Sequence, residues 1–248
     1  MRLNRFHLPG ARAHTPQQLP EDEAVHAVRV LRVRTGQAVR VFDGRGREYD
    51  ATIGTVVRAG VEILVGGEVS PPSPERRIAV TLVMAALKGD AMDAVVRDAA
   101  MLGVGSVLPL VSARAETTLE GLARGHRRER WQRIAVASVK QCGRAVVPDI
   151  GEPLDVIGLL KRWSAEPSAV RLLCVEPEAG GSVMRVRDVA APTGPVSVVV
   201  GPEGGWSGDE VERLAMHAGL LRLEGTTLRA ESAPIVLLSS LLTVWGEF

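Results

Sequence analysis

The sequence predicts an α/β fold, a mostly parallel sheet flanked by helices, preceded by a small all-β domain. From Ile78 to the C-terminus, apolar strand-like runs alternate with segments of helical spacing, the mark of parallel strands joined through helices. From Gly36 to Gly66, short strand-like runs bounded by turn residues read as a small barrel. Between them lies Pro71-Pro72-Ser73-Pro74, a stretch that can continue neither a helix nor a central strand. The expected domains are residues 1–72 and 73–248.

In the first domain, Val25, Val28, Val30, Leu31 and Val33 alternate with His26 and the arginines of 29–34, predicting a short helix that leads into the barrel. Glu21, Asp22 and Glu23 suit its N-terminus. Val39–Phe42 and Tyr49–Ile53 flank Asp43-Gly44-Arg45-Gly46, a hairpin signal, and Val61–Val65 adds a strand. In the second domain, Ile78–Leu87 reads as a central strand. Asp90–Leu102 has its apolar residues at helical spacing and stops at Gly103. Val107–Val111 is a short strand whose Pro109 indicates an edge or a strand end. Helices at Arg127–Gln141 and Asp155–Trp163 follow, then a strand at Arg171–Val175 before Glu176-Pro177-Glu178. Val196–Val200 is a β-branched buried strand, and Leu220–Leu223 a second apolar run. The helix between them starts at Ser207, which stands three residues before Glu210 at capping-box spacing. Pro234–Trp245 is an apolar final helix with proline early in its first turn, suited to the core or to a dimer contact.

With 46% hydrophobic and 24% charged residues, the chain has a globular composition. No stretch reaches ~20 uninterrupted apolar residues, and the N-terminus lacks a signal-peptide apolar region. The cytoplasm is therefore the expected compartment, with no membrane partner. Cys142 and Cys174 form no paired motif, and five scattered histidines give no ligand set, so no metal is expected. The net charge is only +1, but it is unevenly spread. Arg114, Arg124, Arg127, Arg128, Arg130, Arg133, Lys140 and Arg144 face only Glu116, Glu120 and Glu129 between Ser112 and Pro148, a stripe suited to a polyanion. A solvated helix face in an arginine-rich chain is the plainer reading. Phe6, Phe42 and Tyr49 are the only aromatic rings of the first domain, which favours backbone and shape recognition over base stacking.

The strand Val196–Val200 runs into Gly201-Pro202-Glu203-Gly204-Gly205-Trp206-Ser207. After the next helix and strand come Gly225 and Leu228-Arg229-Ala230-Glu231-Ser232-Ala233. Two glycine-bearing loops at the same ends of two strands form a surface where bare backbone can face a ligand. Together with Leu87-Lys88-Gly89-Asp90-Ala91-Met92-Asp93, Trp131-Gln132-Arg133-Ile134-Ala135 and Gln141-Cys142-Gly143-Arg144, these motifs resemble the SPOUT methyltransferases and, among them, the RsmE group. The resemblance covers nearly the whole chain. It implies a C-terminal trefoil knot, an N-terminal PUA-like barrel, a homodimer and S-adenosylmethionine as donor. It also implies a small-subunit ribosomal RNA substrate, methylated at N3 of a uridine (position 1498 of 16S rRNA).

On that resemblance, the donor is expected against Cys174, Val175, Glu176, Gly201, Pro202, Glu203, Gly204, Gly205, Leu223, Gly225, Leu228 and Arg229. Leu223 and Leu228 suit the adenine or the core equally. Uridine N3 carries a weakly acidic proton, so Arg229 is the candidate to stabilise negative charge on the base and Glu231 to orient Arg229 or take the proton. Glu231 as an ordinary helix N-terminal carboxylate is the alternative. RNA contacts are expected from Arg2, Arg5, Arg29, Arg32, Arg34, Lys88, Arg127, Arg128, Gln141 and Arg144. Met101, Lys140, Cys142, Ala230 and Ser232 depart from residues common in the family. Other readings are a SPOUT enzyme acting on ribose or tRNA, and a non-catalytic RNA-binding protein. A dinucleotide-binding fold is excluded, because no G-x-G-x-x-G follows an early strand.

Overall fold

The structure, a computed structural model, describes residues 3–57, 60–124, 126–166, 169–176, 182–225 and 228–248. Contacts divide the chain into two compact units. One comprises Met1–Glu75 with Val136–Val147, and the other Arg76–Ala135 with Pro148–Phe248.

The first unit is built on a five-stranded sheet of β1 (Arg5–His7), β2 (Pro16–Gln18), β3 (Ala38–Phe42), β4 (Glu48–Val57) and β5 (Gly60–Val69). The strand order is β1-β3-β4-β5-β2, antiparallel except for β1 beside β3. The hairpin read from Asp43–Gly46 joins β3 to β4, with Val41 opposite Tyr49. The expected leading helix is α1 (Glu21–Val25), continued by a π-helical turn, His26–Val30. Two strands escape sequence reading, because β1 and β2 span three residues each, too few to show an alternation. Phe6, Val39, Val41, Ile53, Val61 and Ile63 form the core.

The segment 136–147 brings the last turns of α4 (Arg127–Cys142) into this unit. Carbonyls in a helix's last turn have no partners within the helix. Arg5 donates to carbonyls at and just beyond that end: Nη1 to Val139 O at 2.9 Å, which also accepts the Gly143 N–H at 3.1 Å, and to Lys140 O at 3.2 Å, and Nη2 to Arg144 O at 2.7 Å. Its Nε and Nη2 also grip Glu48 at 3.2 and 2.6 Å, and the guanidinium lies over the Phe42 ring at 4.8 Å. The two side chains are 3% and 1% exposed. Arg5 is therefore a buried structural cation and not the RNA contact expected of it. Arg144 needs the same correction: it is buried and paired with Glu75 at 2.6 Å, and Glu75 also accepts the backbone N–H groups of Ala145 and Val146. Burial pushes the Glu23 carboxyl up, opposed by the hydrogen bonds it accepts from Lys140 at 2.7 and 2.9 Å.

The second unit is a wholly parallel sheet. Its strands are β6 (Val80–Ala85), β7 (Ser106–Val111), β8 (Asp149–Ile150), β9 (Leu154–Asp155), β10 (Val170–Cys174), β11 (Met184–Arg185), β12 (Val196–Val200) and β13 (Gly219–Arg222). They run in the order β11-β13-β10-β12-β6-β7-β8, with β9 also on β7. The register aligns Leu220, Leu173, Val199, Val83 and Leu108 in one row across the sheet. That row packs against Leu159 and Trp163 of α5 (Val156–Ala165) and Leu214 of α6 (Gly208–Ala215). The next row, Leu172, Val198, Leu82 and Val107, is buried on the other face, where α7 (Ala233–Val244) packs on β12 and against α2 (Ala91–Leu102). α7 buries Leu237, Leu238, Leu241 and Leu242, so most of its apolar surface serves the core. A short helix, α3 (Leu119–Ala123), precedes α4.

Pro109 does not mark an edge, because β7 has partners on both sides. On its outer side β8 pairs at Ser106 and Val107 and β9 at Leu110 and Val111, leaving Leu108 and Pro109 in the gap between them. The missing N–H falls where no ladder is interrupted.

Replacing Arg5 by Met should leave Glu48 buried and unpaired and remove three hydrogen bonds to backbone carbonyls. The expected cost is about 3–5 kcal/mol, read as an earlier first transition in urea unfolding.

Candidate active site

In a parallel sheet all carboxyl ends lie on one edge. Cys174 aligns with Leu221, Val200 with Met84 and Ala85 with Leu110, so the ends of β10, β12, β13, β6 and β7 are level. The loops that leave them (86–90, 112–118, 175–176, 201–207 and, as far as it is described, 223–225) therefore converge at one edge, where open α/β sheets bind ligands.

The glycine loop is held from several sides. The Trp206 indole stands 2.9 Å from where a methyl on Gly201 would be, and donates through Nε1 to Cys174 O at 2.9 Å. The Trp206 backbone N–H donates to Glu176 Oε1 at 3.1 Å. Gly205 has φ +67°, and a methyl there would collide with the Glu176 carboxylate. Arg114 Nη1 donates to Gly204 O at 3.0 Å, and its Cβ packs 3.2 Å from the place a Gly204 methyl would take. Ser207 and Glu210 form the expected capping box at the start of α6. The other Glu210 oxygen accepts Ala113 N–H at 2.7 Å, tying the β7 loop to the same helix. Substitution at Gly201, Gly204 or Gly205 would displace a neighbour that holds the loop.

The remaining predicted donor residues occupy the same edge. Val175 and Pro202 are buried, and Glu176 and Glu203 exposed, with Lys88 N–H 3.5 Å from Glu203 Oε1. Burial, reinforced by the Glu176 charge, pushes the Cys174 thiol up to about 12, against the opposing effect of the Leu223 N–H. Cys174 is thus a neutral wall. Leu223 and Leu228 are half-buried, and Gly225 takes φ +115° with open space where a side chain would be. Arg229 O accepts the N–H groups of Ser232 and Ala233 at 2.9 and 3.0 Å, so the loop turns directly into α7. The Arg229 side chain is exposed and that of Glu231 half-buried. Among the described residues no ion pair joins them.

The residues expected to meet RNA are not brought together as one set. Arg2 lies outside the described residues. Arg29, Arg32, Arg34, Arg127 and Gln141 are exposed. Lys88 is exposed and paired with Glu116. Arg128 donates to Ile150 O at 2.6 Å and pairs with Glu152 at 2.5 Å. Half of the basic stripe counted along 112–148 is met by acids from elsewhere in the chain. Arg130 pairs with Asp90 and Asp93, Lys140 with Glu23, and Arg144 with Glu75. Sequence reading missed two members of the site. Trp206 was seen only as the loop's end, and Arg114 only as one charge in the stripe. Their roles depend on contacts with Cys174 and Gly204, far off in sequence, which no local pattern encodes. Among the described residues no cluster of His, Cys, Asp and Glu could hold a metal ion.

A thiol held near 12 is almost wholly protonated at about pH 8.5, where an ordinary cysteine is half ionised. Iodoacetamide should leave Cys174 unmodified there in the folded protein, and peptide mass mapping should find it alkylated only after unfolding.

Residues 74–242 match the family model of an RNA methyltransferase domain, and residues 19–56 that of an RNA methyltransferase PUA domain. The chain is 30% identical to the ribosomal RNA small subunit methyltransferase E of Synechocystis over 86% of its own length and 68% of the relative's. It is 28% identical to the protein of that name from Bacillus subtilis, over 92% and 93%. The fold matches the crystal structure of a ribosomal RNA small subunit methyltransferase E from Neisseria gonorrhoeae bound to S-adenosyl methionine, with TM-score 0.87, 26% identity and 98% of each chain covered. With a PUA-type first domain, a parallel sheet carrying its glycine loop at the carboxyl edge, and this sequence kinship, the chain belongs to the RNA methyltransferase family of the ribosomal RNA small subunit methyltransferase E proteins.

Proposed function

We propose that this protein transfers a methyl group from S-adenosylmethionine to N3 of a uridine in 16S rRNA of the small ribosomal subunit, the family's position 1498. One observation carries the reading: five strand-end loops meet at one edge of the sheet around a glycine loop whose backbone is left bare and held in place by Trp206, Glu176 and Arg114. Bare backbone at Gly201, Gly205 and Gly225, the uncharged Cys174 thiol and half-buried Leu223 and Leu228 fit a ligand with a flat base, a ribose and a cationic sulfur. Glu176 and Glu203 supply negative charge at the same edge, favourable to that cation.

S-adenosylmethionine, when bound, supplies an electrophilic methyl group in an in-line displacement that leaves a neutral thioether. The chain's own task is positioning and charge control. Val175, Pro202 and Leu228 shape the pocket, while Gly204 carries the backbone past it. Uridine N3 attacks only as its proton leaves. In this reading the exposed Arg229 guanidinium stabilises negative charge on the pyrimidine carbonyl oxygens, and Glu231, two residues on, accepts the proton. Residues 1–72 form the PUA-like barrel, its exposed Arg29, Arg32 and Arg34 meeting RNA phosphates, with residues 73–248 as the methyltransferase domain. The C-terminal chain forms a trefoil knot. In support, β13, laid down late, lies between β10 and β11, both formed earlier. The protein acts in the cytoplasm as a homodimer.

Nucleoside mass spectrometry tests the reaction. Small subunits lacking the modification, incubated with protein and S-adenosylmethionine, should gain 3-methyluridine at one site. A 2′-O-methyl nucleoside, or none, would overturn the assignment. Arg229→Ala should lower kcat at saturating substrates about 10²–10³-fold, the range for loss of one donor to a developing oxyanion. An unchanged kcat would remove Arg229 from the chemistry.

A further inference from the structure

The carboxyl edge of the sheet is chemically asymmetric about the glycine loop. Toward β10 and β13 it presents Cys174, Glu176, Leu223 and open backbone at Gly225. Toward β6 and β7 it presents Lys88 and Arg114, both exposed. Lys88 has a carboxylate partner in Glu116, whereas Arg114 pairs with no carboxylate among the described residues. Arg114 is also not free to wander. Its stem lies on Gly204, 3.2 Å from where a methyl would stand, and Nη1 donates to Gly204 O at 3.0 Å. A guanidinium has five N–H donors, and this contact uses one. The result is a cation tethered beside the donor loop with most of its hydrogen-bonding capacity facing solvent, a preorganised receptor for an anion.

Resting on the function proposed above, we propose that Arg114 binds a backbone phosphate of the acceptor RNA. It does so on the β6–β7 side of the glycine loop, with Lys88 exchanging Glu116 for RNA beside it. Because the same guanidinium holds Gly204 O, RNA engagement on that side bears directly on the loop that shapes the donor pocket. The acceptor strand then reaches the edge of the sheet from the side of Lys88 and Arg114, and the donor lies toward β10 and β13. This arrangement keeps two polyatomic substrates from competing for one surface.

Arg114→Gln removes the charge while keeping an uncharged N–H donor and the stem that packs on Gly204. Filter binding of a 16S rRNA transcript across ~50 to ~200 mM salt should show the slope of log K against log salt shallower by about 0.7–0.9, the signature of one phosphate contact. Affinity should fall about fivefold at ~0.1 M salt. Arg114→Lys should restore the slope, since the charge returns. Arg213→Gln, the same charge change on exposed α6, should leave it unaltered. S-adenosylmethionine affinity, measured by calorimetry, reads the tether to Gly204 separately from the phosphate contact. A wild-type slope in Arg114→Gln would overturn the proposal, and loss of donor affinity alongside that slope would make Arg114 a prop for the loop alone. If the wild-type protein forms no 3-methyluridine while the slope still falls, the reaction assignment fails and the phosphate contact stands.

Discussion

The hydrogen bond from the Trp206 indole to the carbonyl of Cys174 is the contact on which the active-site edge depends. It ties the end of β10 to the loop leaving β12, at 2.9 Å, with the indole buried in the core between the sheet and its helices. The ring fills the space in front of Gly201, and its own backbone N–H draws Glu176 over Gly205. A polar group so deeply placed must be satisfied, and here the satisfaction is what shapes the site. The glycines follow from this: they are the positions at which buried or anchored neighbours leave no room for a Cβ. Backbone exposure to a ligand is a consequence of packing behind the loop as well as of flexibility within it.

The first unit shows the same logic with charge in place of an indole. Removing a guanidinium and a carboxylate from water costs several kcal/mol per ion, so a pair like Arg5–Glu48 persists only when nearly every remaining donor is used. Arg5 meets that condition by donating to the Val139, Lys140 and Arg144 carbonyls at and just beyond the end of α4, and Glu75 does the converse for the backbone N–H groups of Ala145 and Val146. Both depend on residues more than sixty positions away, which is why a basic residue near the N-terminus reads as a surface charge until the fold is known.

Electrostatics at the edge is likewise a product of placement. Cys174 is held neutral by burial and by the Glu176 carboxylate, so the strand end beside the glycine loop carries no reactive thiolate. Four of the eight cations of the 112–148 stripe, Arg128, Arg130, Lys140 and Arg144, pair with acids from other segments, whereas Arg114 is tethered beside the glycine loop.

Periodicity and punctuation were enough to recover the large elements. The alternation from Val80 onward, the glycine ending α2, the Ser207–Glu210 box and the hairpin at Asp43–Gly46 are all local, set by side chains and backbone preferences within a few residues of each other. The glycine loop and the Arg229 turn were legible for the same reason. What stayed hidden was everything that distant segments settle between them: three-residue strands too short to alternate, Pro109 lodged in a gap between β8 and β9, and the return of 136–147 to the first unit. The fates of individual arginines belong with these. Whether such a charge is buried against a carboxylate, tethered to a glycine carbonyl or left to solvent turns on desolvation and partner geometry, and those exist only once the chain has folded.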